Sequence, residues 1–262
     1  MPAADAPCPE QAFNATALKW HTCAWLLLPV LVFLAGWMHW YAALPLMFLT
    51  AAGLAPRKRK EPQTRDSLPA FPLFTRSSFL ALAAFAALMT LSGWGEWVNQ
   101  HPDHIVRNAC LRELVASPWP VIFPDGNMLV YNTGFWLIPA LAGKLAGLDA
   151  ARVLVVLWGA WGLFLAWLWL CVFSGRRSLL LALLMAAFGS LLNFQCWLGL
   201  DLFRLHYFGT AEQIMCSANA SIPVLLFFIF LASGRMPLPW IPLLFAATAF
   251  YSPLAALGGL PL

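Results

Sequence analysis

Apolar runs, each ended by a short polar or glycine-proline break, recur along nearly the whole chain. Ala24–Leu54 is longer than the roughly 20 residues one spanning helix needs, and Gly36-Trp37-Met38-His39 interrupts it. The pattern predicts two closely joined spans turning near Gly36, with Trp37, Trp40 and Tyr41 as interfacial aromatic anchors. Pro56–Arg76 reads as a linker with charges of both signs and several prolines. Ser77–Trp94 predicts a third span. The stretch Gly93–Trp136 then breaks the apolar pattern with Glu96, His101, Asp103, His104, Arg107, Arg112, Glu113 and Asp125. Beyond it lie Met128–Leu145, which carries Asn132, Pro139 and Lys144, then Val153–Phe173 and Leu179–Phe194. A second polar patch holds Asp201, Arg204, His206 and Glu212. Ile222–Leu231 and Leu238–Leu257 are the last apolar runs, separated by Ser233-Gly234-Arg235.

Composition turns this pattern into a class. Hydrophobic residues make up 61% of the 262 and charged residues 10%, with a mean hydropathy of +0.75. Soluble domains carry roughly a quarter charged residues. The expectation is an all-α, polytopic integral membrane bundle of about seven or eight apolar helices, forming one membrane domain over residues 1–262. Continuous rather than alternating apolar runs argue against a β-barrel. The start of the chain is too acidic for a secretion signal, and no small-residue cleavage site follows the first apolar run.

Charge sets the sidedness. The net charge of +4 reflects mainly Arg57-Lys58-Arg59-Lys60. Basic runs flanking spans mark the cytoplasmic side, so residues 57–76 read as a cytoplasmic linker and 93–127 as an external loop. This displaces a nucleic-acid reading of the cluster, and the lipid bilayer is the expected partner. One question stays open. If Met128–Leu145 spans fully, Arg176 and Arg177 fall outside and the Asp201 patch inside; if it is re-entrant, these positions reverse. Both arrangements put ten of the 15 Lys and Arg residues inside, so the positive-inside rule does not decide.

Within the external loop, Asp103–Ala116 predicts a short helix along the membrane surface. Pro102 precedes it and Asp103 is a good N-cap type. Ile105, Val106, Ala109, Cys110 and Leu114 form its apolar stripe, with His104, Arg107, Asn108, Arg112 and Glu113 mostly off it. Pro124-Asp125-Gly126-Asn127 is a turn signal.

The loop holds the residue types that chemistry would need. Asp103 could take a proton from an acceptor hydroxyl, or it could be only a helix cap paired with Arg107 one turn on. Glu96 is either a second acid in the same site or a group reaching the headgroups. Arg107 and Arg112 carry guanidinium forks suited to phosphate, and such residues also attract anionic headgroups. His101, Asp103 and His104 are ligand types for borderline ions. Spacing fixes no further ligand, so no metal or other cofactor is assigned. Trp119, Tyr131 and Trp136 could stack on a sugar or belong to the aromatic belt. The six cysteines have no metal-type spacing. Cys23 and Cys171 read as buried hydrophobes, while Cys110, Cys196 and Cys216 lie near polar loops where a disulfide could form.

The order of features resembles the GT-C superfamily of polytopic membrane glycosyltransferases. The matching pieces are the span Ser77–Trp94, Asp103-His104, the helix Ile105–Ala116, Ser117-Pro118-Trp119-Pro120, and Leu129-Val130-Tyr131 leading into Gly134-Phe135-Trp136. Bacterial proteins of this superfamily carry a similar progression, which implies a bacterial inner (plasma) membrane. The resemblance covers mainly residues 77–175. It implies transfer of a sugar from a polyprenyl-phosphate donor to an acceptor on the outer face. Asp103 would be the catalytic carboxylate, as general base or acceptor ligand. Glu96, His104, Arg107 and Arg112 surround it as candidate substrate-binding groups. Two departures stand out: two spans precede residue 57 where one is usual, and most later spans and any large external domain are lacking, which suggests a truncated longer protein. The alternatives are a non-catalytic membrane protein that assembles with a membrane-protein partner, and a transporter subunit. Nearly charge-free spans count against the last.

Overall fold

The computed structural model describes residues 15–55, 75–98, 100, 102–188 and 209–258. These residues are helical throughout, apart from connecting turns and one isolated antiparallel bridge between Ile122 and Met128. In chain order the helices are α1 (Ala15–Trp37), α2 (Trp40–Gly53), α3 (Arg76–Leu91), α4 (Pro102–Ala116) and α5 (Gly134–Ala146). Then come α6 (Leu148–Ser174), α7 (Leu179–Ala187) and α8 (Thr210–Ala232). A 3-10 turn at Leu238–Trp240, α9 (Ile241–Tyr251) and α10 (Pro253–Leu257) complete the chain described.

Three of these, α1, α6 and α8, are long and apolar enough to cross a membrane. Trp40–Gly53, Arg76–Leu91, Gly134–Ala146 and Leu238–Tyr251 are apolar but shorter. The fold fits an α-helical membrane protein. Several boundaries differ from the apolar pattern. The first helix starts at Ala15 rather than Ala24, and the turn after it falls at Met38-His39. The eighth helix starts at Thr210, so Glu212 belongs to its first turn rather than to a loop. The run from Met128 becomes helical only at Gly134. An apolar average marks where a helix is buried in lipid, whereas hydrogen bonding carries the helix on into the polar interface.

The sixth helix is the hub, packed against α3, α5 and α8. Small residues let the long helices approach. A Cβ on Gly162 of α6 would lie 2.6 Å from Ile222 of α8 and 2.7 Å from the Trp25 ring of α1. Between α1 and its neighbours, Trp25 is stacked between Trp158 and Tyr251, with ring centroids at 5.1 and 5.5 Å. Its indole N–H donates to the Trp158 carbonyl at 3.0 Å, and the Tyr251 hydroxyl donates to the Trp25 carbonyl at 2.7 Å. Lipid gives helices no hydrophobic reason to associate, so close packing and interhelical hydrogen bonds of this kind hold the bundle.

The packing bears on the open topological question. Trp136, at the start of α5, lies 6.4 Å from Trp94. Arg152, in the first turns of α6, bonds Glu96. The 13-residue α5 therefore begins and ends near the turn at residues 94–96, the arrangement expected of the re-entrant alternative. At its other end α6 returns to the start of α3, where Arg177 donates to Ser78. Trp240 meets Trp20 at 5.4 Å, and Trp169 meets Phe230 at 4.3 Å. Lys19, Arg76, Arg176, Arg177 and Arg235 thus share one face. Every described carboxylate lies on the other: Glu96, Asp103, Glu113, Asp125, Asp149 and Glu212.

Candidate functional site

The site is built on the carboxylate-bearing face, around the turn that joins α3 to α4. The turn is sharp because Gly93 and Gly95 take left-handed backbone angles, with φ of 94° and 92°. Glu96 does the same at φ 68°, unusual for a residue with a Cβ. The turn buries Trp94 beneath α4 and carries the Glu96 carboxylate towards α6.

Glu96 sits in a clasp. Its Oε2 accepts from Arg112 of α4 and, at 2.6 Å, from Nη2 of Arg152 of α6. Nη1 of Arg152 also donates to Asp149 at 2.8 Å. The Glu96 side chain is only 9% exposed. Burial alone pushes its carboxyl upwards, but the hydrogen bonds and charges of Arg112 and Arg152 outweigh it and hold the group below the usual carboxylate range. This ties the α3–α4 turn, α4 and α6 together. It places Glu96 between two of the loop's neighbouring arginines, Arg112 and Arg152.

The fourth helix corrects the expected stripe. His104, Arg107, Cys110, Leu111 and Leu114 are buried, whereas Ile105 and Val106 are 71% and 58% exposed. The face turned inward is the one that holds His104 and Arg107. Cys110 and Leu114 belong to both readings. The start of the helix differs as well. Pro102 is its first residue, a position that suits proline because no N–H is needed there. Asp103 is therefore inside the first turn and is not the cap. Its charge still favours the positive end of the helix.

Arg107 is the centre of the second cluster. Its guanidinium lies 5.8 Å over the Trp94 ring. Nη2 donates to the Ser217 hydroxyl at 3.4 Å and lies 3.7 Å from the Asp103 carboxylate, the partner one turn away that the spacing predicts. Its Nε and Nη1 are buried with no hydrogen-bond partner among the described residues. Asp103 itself is 53% exposed. Ser217 matters for a second reason: at φ −154° and ψ 45° it breaks α8. A broken helix frees carbonyls that must be satisfied away from water. The Trp94 indole donates to the Ile214 carbonyl at 2.8 Å, and the His104 ring lies 3.0 Å from the Met215 carbonyl through Nε2. His104 thus seats a carbonyl of the break. Asn219, just past the break, has a buried Oδ1 without a partner.

The remaining candidates divide. Trp136 is buried against Trp94 and Phe135. Trp119 donates to the Leu114 carbonyl at 2.8 Å, packs on Trp37 at 5.0 Å and carries Lys144 over its ring. Tyr131 is exposed beside Trp136. Asp125 closes the expected turn, accepting from the Asn127 amide at 3.1 Å; that bond and the Asn127 side chain hold it below the usual carboxylate range. Cys23, Cys110, Cys171 and Cys216 are free thiols, and burial pushes Cys110 up to about 12. Among the described residues no three His, Cys, Asp or Glu side chains gather as a metal site would require. His101, Arg57–Lys60, Cys196 and the patch Asp201, Arg204 and His206 lie outside the described residues.

Sequence reasoning missed Arg152, Ser217 and Asn219. Arg152 stands one residue before the predicted span at Val153, and its i,i+3 spacing from Asp149 was the available signal. Nothing in the sequence marks Ser217 as a break. No protein-family model, no curated protein and no solved structure matches the chain.

Proposed function

We propose that the protein is a GT-C-like membrane glycosyltransferase. It would transfer a sugar from a polyprenyl-phosphate donor to an acceptor on the outer face of a bacterial inner membrane. The shorter apolar helices would complete a bundle of about seven or eight around α1, α6 and α8. The observation that carries the reading is the Asp103–Arg107 pair: a half-exposed carboxylate next to a buried guanidinium with unpartnered N–H groups.

The chemistry needs these two charges in this order. Asp103 takes the proton of the acceptor hydroxyl as its oxygen attacks the anomeric carbon of the sugar. The bond from that carbon to the phosphate oxygen breaks, and its electron pair leaves with the polyprenyl phosphate. The departing phosphate gains negative charge, which a preorganised guanidinium offsets. Arg107 is held for this by Trp94 and Ser217. The Glu96 clasp favours a second reading, a non-catalytic protein that assembles with partners, because its charges are spent on holding helices together.

The separating experiment is Asp103→Asn in the full-length protein, in membranes at matched expression, read as sugar transfer from a polyprenyl-phosphate donor. Loss of the first-turn charge costs the helix about 0.3–1 kcal/mol, so the fold is retained. Loss of the base lowers transfer by about 10²–10⁴-fold. Unchanged transfer by the variant would leave Asp103 as a surface charge and favour the second reading.

A further inference from the structure

A groove of about 240 Å³ runs between α1 and α2 on the side of the bundle away from the Asp103 cluster. Trp20, Cys23, Leu27 and Leu31 line it from α1, and Met47, Thr50 and Leu54 from α2. On α1 the lining spans about 17 Å at 1.5 Å per residue. Its one hydroxyl, on Thr50, is already spent on the Leu46 carbonyl at 2.8 Å. Apart from the Trp20 indole at its end, the groove therefore offers a partner apolar contact along a narrow track.

The two helices run antiparallel, so Trp20 and Leu54 are at the same end. That end opens on the face that holds Lys19, Arg76, Arg176, Arg177 and Arg235 and, among the described residues, no carboxylate. Lys19 precedes Trp20 in the first turns of α1, at the same end of the helix though outside the groove lining, and has no ion-pair partner among the described residues. In sequence the chain continues from Leu54 into Arg57-Lys58-Arg59-Lys60. A long apolar track that ends beside a surplus of positive charge has the chemistry of one ligand class.

We propose that this groove seats an acyl chain of an anionic phospholipid from the leaflet on the basic face, with its headgroup at Lys19. The groove selects for a chain, and Lys19 selects for a negative headgroup. The site is separate from the donor-lipid chemistry, which would occur on the opposite face. It stands whether or not the transferase reading does.

The test uses the full chain purified in neutral detergent, with retained lipid read by native mass spectrometry. Phosphatidylglycerol and phosphatidylcholine of identical chains are offered in equal amounts. The expected result is preferential retention of phosphatidylglycerol. Lys19→Gln reduces that preference about fivefold, as one basic residue near a charged surface would. Ala51→Phe, at an exposed position in the groove wall, abolishes retention of both lipids while the protein elutes as a folded monodisperse peak. Equal retention of the two lipids by the unaltered protein overturns the proposal, as does undiminished retention by Ala51→Phe. Should Ala51→Phe fail to fold, Thr50→Leu together with Lys19→Gln decides: an unchanged headgroup preference in Lys19→Gln overturns the proposal by itself.

Discussion

Two carboxylates lie on one face of this protein, and they are used in opposite ways. Glu96 is almost fully buried, bonded by two arginines from two helices, and set on a left-handed backbone. Asp103 is half exposed, and its carboxylate lies 3.7 Å from Arg107 one turn on. The clasp pairs its arginines with carboxylates at short range, Arg112 with Glu96 and Arg152 with Glu96 and Asp149, although Glu96 Oε1 and Arg152 Nε make no hydrogen bond among the described residues. At Asp103 the pairing is looser: Arg107 lies 3.7 Å away, and two of its guanidinium nitrogens have no hydrogen-bond partner among the described residues. Charges that hold a structure together are neutralised within it, and charges that meet a substrate must keep capacity in reserve. On that ground we propose Asp103 for the chemistry and Glu96 for the architecture, although both are acids in the same loop.

The most direct way to break the comparison is to neutralise each acid in turn. Asp103→Asn is expected to lower transfer by about 10²–10⁴-fold with little effect on unfolding. Glu96→Gln is expected to do the reverse, keeping most of the transfer per folded molecule. Equal effects of the two changes on transfer would mean that both acids belong to one site. Next in size is Leu114→Ala. Leu114 is fully buried on α4, the helix that carries both Arg107 and Arg112. The change leaves a cavity and costs about 3 kcal/mol, which thermal unfolding in detergent would measure. Both clusters should loosen together, since α4 is their common support.

Glu96→Gln sharpens the comparison from the structural side. Removing one partner of a buried pair costs roughly 3–5 kcal/mol. Arg112 is 54% exposed and water compensates it, so about 2 kcal/mol is expected. The pH dependence follows from the direction of the shift. Folding lowers the Glu96 carboxyl, so its stabilisation is complete above the unfolded value of about 4.3 and is lost as pH falls through the lower folded value. Unfolding curves of the unaltered protein and of Glu96→Gln should therefore stay a constant distance apart from pH 7 to about pH 5, and converge below about pH 4. A constant gap down to pH 3 would show that the arginines do not hold Glu96 ionised.

The class of fold was legible in the sequence because bilayer thickness sets the length of an apolar run. The helix at 102–116 was legible too, from Pro102, Asp103 and the absence of breakers. Its orientation was not. The apolar residues Ile105 and Val106 pointed one way and the packing went the other, because the helix rests on α5 and α6 and sets His104 and Arg107 against a broken helix. The carbonyls of Ile214 and Met215, freed at Ser217, need donors. Trp94 meets one and His104 is placed against the other. Hydrophobic periodicity records which side chains avoid water and carries no trace of backbone groups exposed elsewhere in the chain. The same limit hid Arg152, a charge placed at the end of an apolar run to meet a carboxylate 56 residues earlier. Whether Met128–Leu145 crosses could not be read from charge counts, since both arrangements give the same total. The contacts at its two ends, which favour the re-entrant arrangement, leave no trace in a charge count.

The smallest expected effect tests that reversed face directly. Ile105 and Val106 are exposed on α4, and Leu111, one to two turns along the opposite side, is buried. If the apolar stripe expected from sequence were the buried one, Ile105→Ala would remove packed methylenes and cost about 2–5 kcal/mol. With the face observed, Ile105 touches solvent or headgroups, and the change should stay within about 0.5 kcal/mol. Unfolding measured in the same detergent for Ile105→Ala and Val106→Ala gives the answer. A loss of about 2 kcal/mol or more in either, the order that emptying a packed site costs, would turn the helix over. His104 would then face away from the Met215 carbonyl and Arg107 away from Ser217, and the open charge beside Asp103 would no longer be preorganised for a departing phosphate.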